Sequence, residues 1–307
     1  MRSSILSCAF IAFSAHTVHA LNRRAPAHIA VTDNVLNLTT VPYAPHLLPP
    51  SSRHLLHRRD ALSQAKRQFD PVASLDEPLV TLGGRIYMTD VTLGGQTYSL
   101  VIDTGSSDTW VVSSTFQCIN PSTYSIIDTR YCGLASTYDP AKSSTWKSIP
   151  GYEFAVNYTG GEFLSGDLGT EVFGIGGIST GGSNGELQVR QTIGVVERGY
   201  WAGEGISSGL MGLAYPALVS GASRLKYQSV MFTLAKESPG PDIFSLAFNR
   251  PTPSNPSAGG QLAIGGIPNV SHDGNWVRVP IQPVAQDIYA YYSINIDGFD
   301  ITTPPST

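Results

Sequence analysis

Charge is scarce in this sequence. Asp, Glu, Lys and Arg make up 14% of its 307 residues, against 41% apolar residues. That balance lets the chain fold, and its length allows one large or two ordinary domains with a sizeable core. Long helical periodicity is also lacking, while Gly (31) and Pro (21) are plentiful. The combination favours many short strands joined by turns. No apolar stretch reaches the roughly 20 residues that a membrane-spanning helix needs. Cysteine is nearly absent, with three in all, and His272 is the only histidine beyond residue 67. Cys118, Cys132 and His272 are too few ligands for a metal site, so neither metal nor cofactor is expected.

What is present begins at the N-terminus. Arg2 supplies a positive start, residues 5–13 form a short apolar run, and Val18-His19-Ala20 is an acceptable cleavage site. Residues 1–20 therefore read as a secretory signal peptide, and the protein as secreted or extracellular. A membrane anchor is the alternative, for which the run is short. Cys8 leaves with the signal. Cys118 and Cys132 then remain as an even pair in an oxidising compartment, and a disulfide between them is expected.

The net charge of −4 hides an asymmetry. Residues 21–67 hold seven Lys/Arg against two Asp/Glu, a balance of +5, whereas residues 68–307 hold eleven against twenty-one, a balance of −10. The basic segment is rich in Pro and Arg, carries His28, His46, His54 and His57, and contains the dibasic pairs Arg58-Arg59 and Lys66-Arg67. One reading is a disordered basic tail. The favoured reading is a removable propeptide lying over an acidic body. Acid protonates the body's carboxylates and weakens that attraction, which predicts a pH-sensitive latch.

In the body, residues 85–93 and 97–102 read as strands flanking a Gly94-Gly95 hairpin turn. Residues 154–158 read as a strand entering a tight hairpin, and Gly-rich turns recur through Gly185. The one persuasive helix spans residues 223–236, ended by Ser238-Pro239-Gly240-Pro241. Residues 243–248, 261–264, 276–281 and 291–296 read as further strands.

Asp103 stands where the apolar strand Leu100-Val101-Ile102 runs into Thr104-Gly105-Ser106-Ser107. An acid at a strand tip beside Thr, Gly and Ser can accept several hydrogen bonds, which favour its charged form. It can equally cap an Asx turn, so Asp103 alone leaves both readings open. Asp128-Thr129-Arg130 reads as ordinary loop. The wider string VIDTGSSDTWV at 101–111 closely resembles the first active-site motif of pepsin-like aspartic proteases. YDPAKSST at 138–145, the hairpin at 154–166, GLMGLAY at 209–215 and residues 260–299 follow in the family's order.

The resemblance implies an all-β, bilobal pepsin-like fold, with a complete N-terminal lobe at 68–245 and an incomplete C-terminal lobe at 246–307. It implies that Asp103 is one of two carboxylates that share a proton and activate a water. Thr104 and Gly105 would shape the loop, and Ser106 would hydrogen-bond the carboxylate. Tyr158 would be the flap tyrosine with Trp110 as its partner, while Leu210, Met211 and Gly212 would pack behind the loop. The partners implied are polypeptide substrates and the protein's own propeptide as an intramolecular inhibitor. The protein is expected to act as a monomer, and nucleic acid is not expected.

The sequence departs from the family at two places. No second Asp-Thr/Ser-Gly follows Asp103, and Asp297-Gly298 lacks the intervening residue. The expectation is a fragment of a longer protease. A short inactive product, or two copies pairing their Asp103 residues, are the other readings. In the flap, Tyr158-Thr159-Gly160-Gly161 replaces the usual Tyr-Gly-Ser/Thr-Gly. It also makes Asn157 a formal glycosylation sequon, expected to be unused. Asn269-Val270-Ser271 is the better acceptor. The competing function is a non-catalytic binding or inhibitory protein on the same scaffold.

Overall fold

The computed structural model describes residues 10–14, 29–42, 85–179, 186–221, 224–237, 242–249, 252–255 and 257–298. In chain order the strands are β1 (Phe10–Ser14), β2 (Val35–Pro42), β3 (Arg85–Leu93), β4 (Gln96–Asp103), β5 (Thr109–Ile119) and β6 (Ile126–Ile127). They continue with β7 (Lys147–Asn157), β8 (Phe163–Ser179), β9 (Glu186–Tyr200), β10 (Gly209–Gly212), β11 (Ile243–Phe248) and β12 (Ala258–Ile264). A single α-helix among the described residues, α1, covers Val230–Glu237. The expected all-β class holds.

The strands join one mixed sheet in the order β1-β11-β12-β2-β3-β4-β10-β5-β9-β8-β7, with β6 beside β5. The β3–β4 hairpin turns on Gly94 and Gly95, whose φ values are +57° and +82°. Two successive positive φ angles are what a two-residue turn between right-twisted strands requires, and glycine adopts them without strain. Along β4, Tyr98 and Leu100 point inward and reach the main core with Val91, Leu93, Phe173 and Met211. At such burial each large apolar side chain stabilises the fold by about 2 kcal/mol.

β10 fixes the architecture around Asp103. It runs parallel to β4, with Gly212 opposite Asp103, and antiparallel to β5, with Leu210 opposite Trp110. The two strands flanking the 104–108 loop are thereby held apart by one inserted strand. Cys118 and Cys132 form the expected disulfide, with Cα atoms 5.9 Å apart. Closing a loop of that length stabilises the fold by about 3 kcal/mol in the chain-entropy account. Asp128 accepts from Arg130 N–H at 3.0 Å and caps a 3-10 turn, as ordinary loop.

Four details differ from the sequence reading. Residues 29–42 of the basic segment do not lie over the body. β2 is inserted between β12 and β3, and Leu36, Leu38 and Thr40 are buried at alternate positions. The glycines at 166–177 do not break the chain into turns, because β8 pairs with β9 from Phe163↔Tyr200 to Ser179↔Glu186, with register shifts near both ends, while residues 180–185 lie outside the described residues. The helix begins at Val230 rather than 223. Ser229 O accepts the first N–H groups of the turn, while the preceding residues are held elsewhere by Tyr227 and by Gln191 Nε2 donating to Gln228 O at 2.9 Å. Residues 276–281 and 291–296 belong to no strand, and Val277 is 87% exposed. Their strand-like composition meets no strand edge among the described residues. The segment read as signal peptide is described only at β1, which pairs with β11. The dibasic pairs lie outside the described residues.

Candidate active site

Asp103 closes β4, and the chain turns immediately after it. Gly105 N–H donates to Asp103 Oδ1 at 2.8 Å, and Ser106 Oγ donates to Oδ2 at 2.6 Å. Each carboxylate oxygen therefore holds one donor from its own loop. Glycine at 105 keeps the turn close, since a Cβ there would stand 3.1 Å from Asp103 Oδ1 and press on the carboxylate. Thr104 lies in the turn between them.

The loop is braced from beneath by the chain leaving β10. Leu213 N–H donates to Asp103 O at 2.8 Å, Ala214 N–H to Ser106 O at 2.9 Å, and Gly212 N–H to Asp108 O at 3.0 Å. Ser107 Oγ donates to Tyr215 O. Leu210, Met211 and Gly212 are all buried in β10. Four ties over so few residues leave the loop little freedom, so the Asp103 carboxylate is held in place before anything binds.

The β7–β8 hairpin carries Tyr158 in its turn. Trp110 Nε1 donates to Tyr158 Oη at 2.8 Å. Trp110 is fully buried, and this bond satisfies its one polar group. Trp201 packs edge-on against both rings, at 5.1 Å from Trp110 and 5.4 Å from Tyr158. Burial, opposed by the Trp110 bond and reinforced by the charges of Asp103, Asp108 and Glu162, pushes the Tyr158 phenol far above its usual range. It stays neutral, able to accept and donate hydrogen bonds. The charge contribution also puts Tyr158 within electrostatic reach of Asp103.

The structure thus brings Asp103, Thr104, Gly105 and Ser106 into one loop, with β10 below and the Trp110–Tyr158 pair alongside. The disulfide lies apart, in its own apolar cluster with Tyr200. Asn157 and Asn269 are both exposed. Among the described residues there is no group of three His, Cys, Asp or Glu that could hold a metal.

The sequence profile of the eukaryotic aspartyl proteases matches residues 86–306. The chain belongs to the eukaryotic aspartyl protease family. A probable aspartic-type endopeptidase of Aspergillus fumigatus is 37% identical over 223 residues, covering 69% of this chain and 48% of that protein. A Candida albicans protein named secreted aspartic protease 4 is 31% identical over 235 residues, covering 75% of this chain and 50% of its own. Cathepsin E of Cavia porcellus is 27% identical over 284 residues, covering 87% of this chain and 64% of that protein. The chain spans about half the length of the fungal relatives it matches.

Several residues around the site received no role from the sequence. Asp108 and Ser107 lie inside the quoted motif yet bond to residues more than 100 positions away. Trp201 and Tyr227 carry no local signal. They join the Trp110 and Tyr158 cluster only through the fold.

Proposed function

We propose that this protein is an endopeptidase in which the Asp103 carboxylate activates a water for attack on a peptide carbonyl at acidic pH. The single observation that carries the reading is the Asp103 carboxylate itself. It is half-buried, holds one donor on each oxygen, and is braced by four bonds from residues 212–215 and 107. A carboxylate so placed shares a proton with a second carboxylate, because two like charges that close cannot both ionise. One acts as base towards the water and the other as acid towards the carbonyl oxygen, and no covalent intermediate forms. The 307 residues carry no second Asp-Thr/Ser-Gly, so the reading takes its second carboxylate from outside this sequence.

In this reading Thr104 and Gly105 shape the loop and Ser106 orients the carboxylate. Tyr158, held by Trp110, closes over a polypeptide substrate, and Leu210, Met211 and Gly212 support the loop from behind. Residues 68–245 form the first lobe and 246–307 begin the second. The protein is secreted after loss of residues 1–20, acts as a monomer, and carries glycan on Asn269. The name of the Candida relative supports secretion, and no described helix is long and apolar enough to cross a membrane. The competing reading is a non-catalytic binding protein on the same scaffold. The two separate in one assay. Protein as its source cell makes it is tested for peptide hydrolysis at pH 4, with and without a peptide analogue carrying a tetrahedral hydroxyl centre. Hydrolysis blocked by the analogue supports the endopeptidase. No hydrolysis at any acidic pH sinks it.

Residues 21–67 act as an intramolecular inhibitor in this reading, but β2 gives them a second role. Withdrawing β2 opens the facing edges of β3 and β12 and exposes Leu36 and Leu38, at about 2 kcal/mol for each leucine. Cleavage after Arg67 is therefore expected to leave the fragment bound. Size-exclusion chromatography of the cleaved protein at neutral pH, followed by denaturing electrophoresis, should show both pieces in one peak. Separate elution without denaturant would mean that β2 is not held by the sheet.

A further inference from the structure

Asp108 takes no part in activating water, yet the residue is only 4% exposed. Its oxygens are divided between two partners. Tyr227 O–H donates to Oδ1, and Ser220 N–H donates to Oδ2 at 2.8 Å. Ser220 Oγ and Tyr227 Oη lie 3.0 Å apart and close a small ring. The cluster ties the entrance of β5 to the segment between β10 and α1, across more than 100 residues of chain.

Among the described residues no Lys, Arg or His pairs with Asp108, and both ion pairs found lie elsewhere. Tyr227, from the segment before α1, and Tyr158, from the β7–β8 turn, both feel its charge, and Asp103 and Glu162 add theirs at Tyr158. β10 contributes only backbone, through Gly212 N–H. Two neutral donors do not replace the hydration of a buried carboxylate.

We propose that Asp108 is a positioning residue that braces the aromatic wall of the site against the Asp103 loop, and that protonation loosens the brace while relieving the cost of its buried charge. Protonation removes the buried charge but leaves a weaker acceptor for Tyr227 and Ser220, so the fold as a whole gains while these two bonds slacken. The effect reaches the site because Tyr227 packs in the same cluster as Tyr158, Trp110 and Trp201. The link to catalysis rests on the endopeptidase reading. The brace itself is a property of the fold.

Burial, opposed by the Tyr227 and Ser220 bonds, raises the Asp108 carboxyl from 3.8 to about 6. Between those values the folded protein holds a proton that the unfolded chain has released. Stability from this group therefore grows as pH falls from about 6 to about 4, and is flat outside that window. Two units correspond to about a hundredfold in the unfolding equilibrium.

The test is urea unfolding of the full chain from pH 7 to pH 4, together with the NMR signal of the Trp110 indole N–H. Wild type should gain about a hundredfold relative to Asp108→Asn across the window, and the indole signal should titrate near pH 6 in wild type alone. Tyr227→Phe removes a bond that favours the charged form, so the upper edge of its window should move to higher pH. If Asp108→Asn fails to fold, the direction of that shift still decides. Parallel stability curves for wild type and Asp108→Asn, or an unmoved window in Tyr227→Phe, overturn the proposal. Neither measurement involves hydrolysis, so a protein without peptidase activity leaves the result interpretable.

Discussion

Asp103→Asn is expected to abolish peptide hydrolysis while leaving the fold almost untouched. The two effects separate because Asn keeps the shape and most of the bonds of Asp. Its Oδ1 still accepts from Gly105 N–H, and its Nδ2 donates to Ser106 Oγ, which can reverse its role. Leu213 N–H bonds the backbone oxygen of residue 103 and is indifferent to the change. The expected stability cost is below about 1 kcal/mol, the ordinary size of one neutral hydrogen-bond exchange. Chemistry suffers far more, since an amide can neither take the proton of the attacking water nor share one with a second carboxylate. General acid–base groups contribute about 10²–10⁴-fold, and here the base and half of the proton-sharing pair go together. A loss of at least about a thousandfold in kcat with little change in KM is therefore expected. The measurement is steady-state hydrolysis by the protein as its source cell makes it, beside its urea midpoint. Retained activity removes Asp103 from the mechanism. Lost activity with a collapsed midpoint shows a role in the fold instead.

The loop around Asp103 was legible in the sequence because its bonds are local. Gly105 and Ser106 lie two and three residues from the carboxylate they serve. The same holds for the β3–β4 hairpin, where Gly94-Gly95 announces the turn. β2 was legible in principle, because Leu36, Leu38 and Thr40 keep a strict period of two. The Pro- and Arg-rich surroundings concealed it. Other features were decided by partners far along the chain. The start of α1 depends on where Tyr227 and Gln228 are held, and a spacing pattern cannot contain that. β8 runs through several glycines because β9 offers a ladder along its length. Residues 276–281 have strand-like side chains but join no ladder among the described residues, and composition alone makes no strand.

Glu171→Ala is expected to destabilise the protein by about 4 kcal/mol, the range for leaving the partners of a buried charge unsatisfied. Glu171 lies in β8 with no exposed surface. Its carboxylate accepts from Ser143 Oγ and Val172 N–H, each at 2.6 Å, and from the hydroxyls of Thr145 and Tyr138. These bonds fasten the 138–145 turn to the sheet beside the Gly94 hairpin, where a Cβ on Gly94 would collide with Ser143 Oγ. Alanine removes the common acceptor and strands the Tyr138 hydroxyl in a fully buried site. Glu171→Gln keeps one acceptor oxygen, and the two flexible hydroxyls can turn to accept from its amide, so about half the loss is expected. Burial pushes the Glu171 carboxyl up, but the bonds from Ser143, Thr145, Tyr138 and Val172 outweigh it and hold it below the ordinary 4.5. Its stabilisation is therefore full above about pH 4.5 and is lost as pH falls through the lower folded value. Asp108 acts with the opposite sign, gaining as pH falls from about 6. The two groups therefore contribute with opposite slopes, Asp108 more as pH falls from about 6 and Glu171 less below about 4.5. Urea midpoints of wild type and Glu171→Gln between pH 7 and pH 2 test this. Wild type should lose stability below about pH 4.5 more steeply than the variant. Matching acid limbs would take Glu171 out of the acid response of the fold.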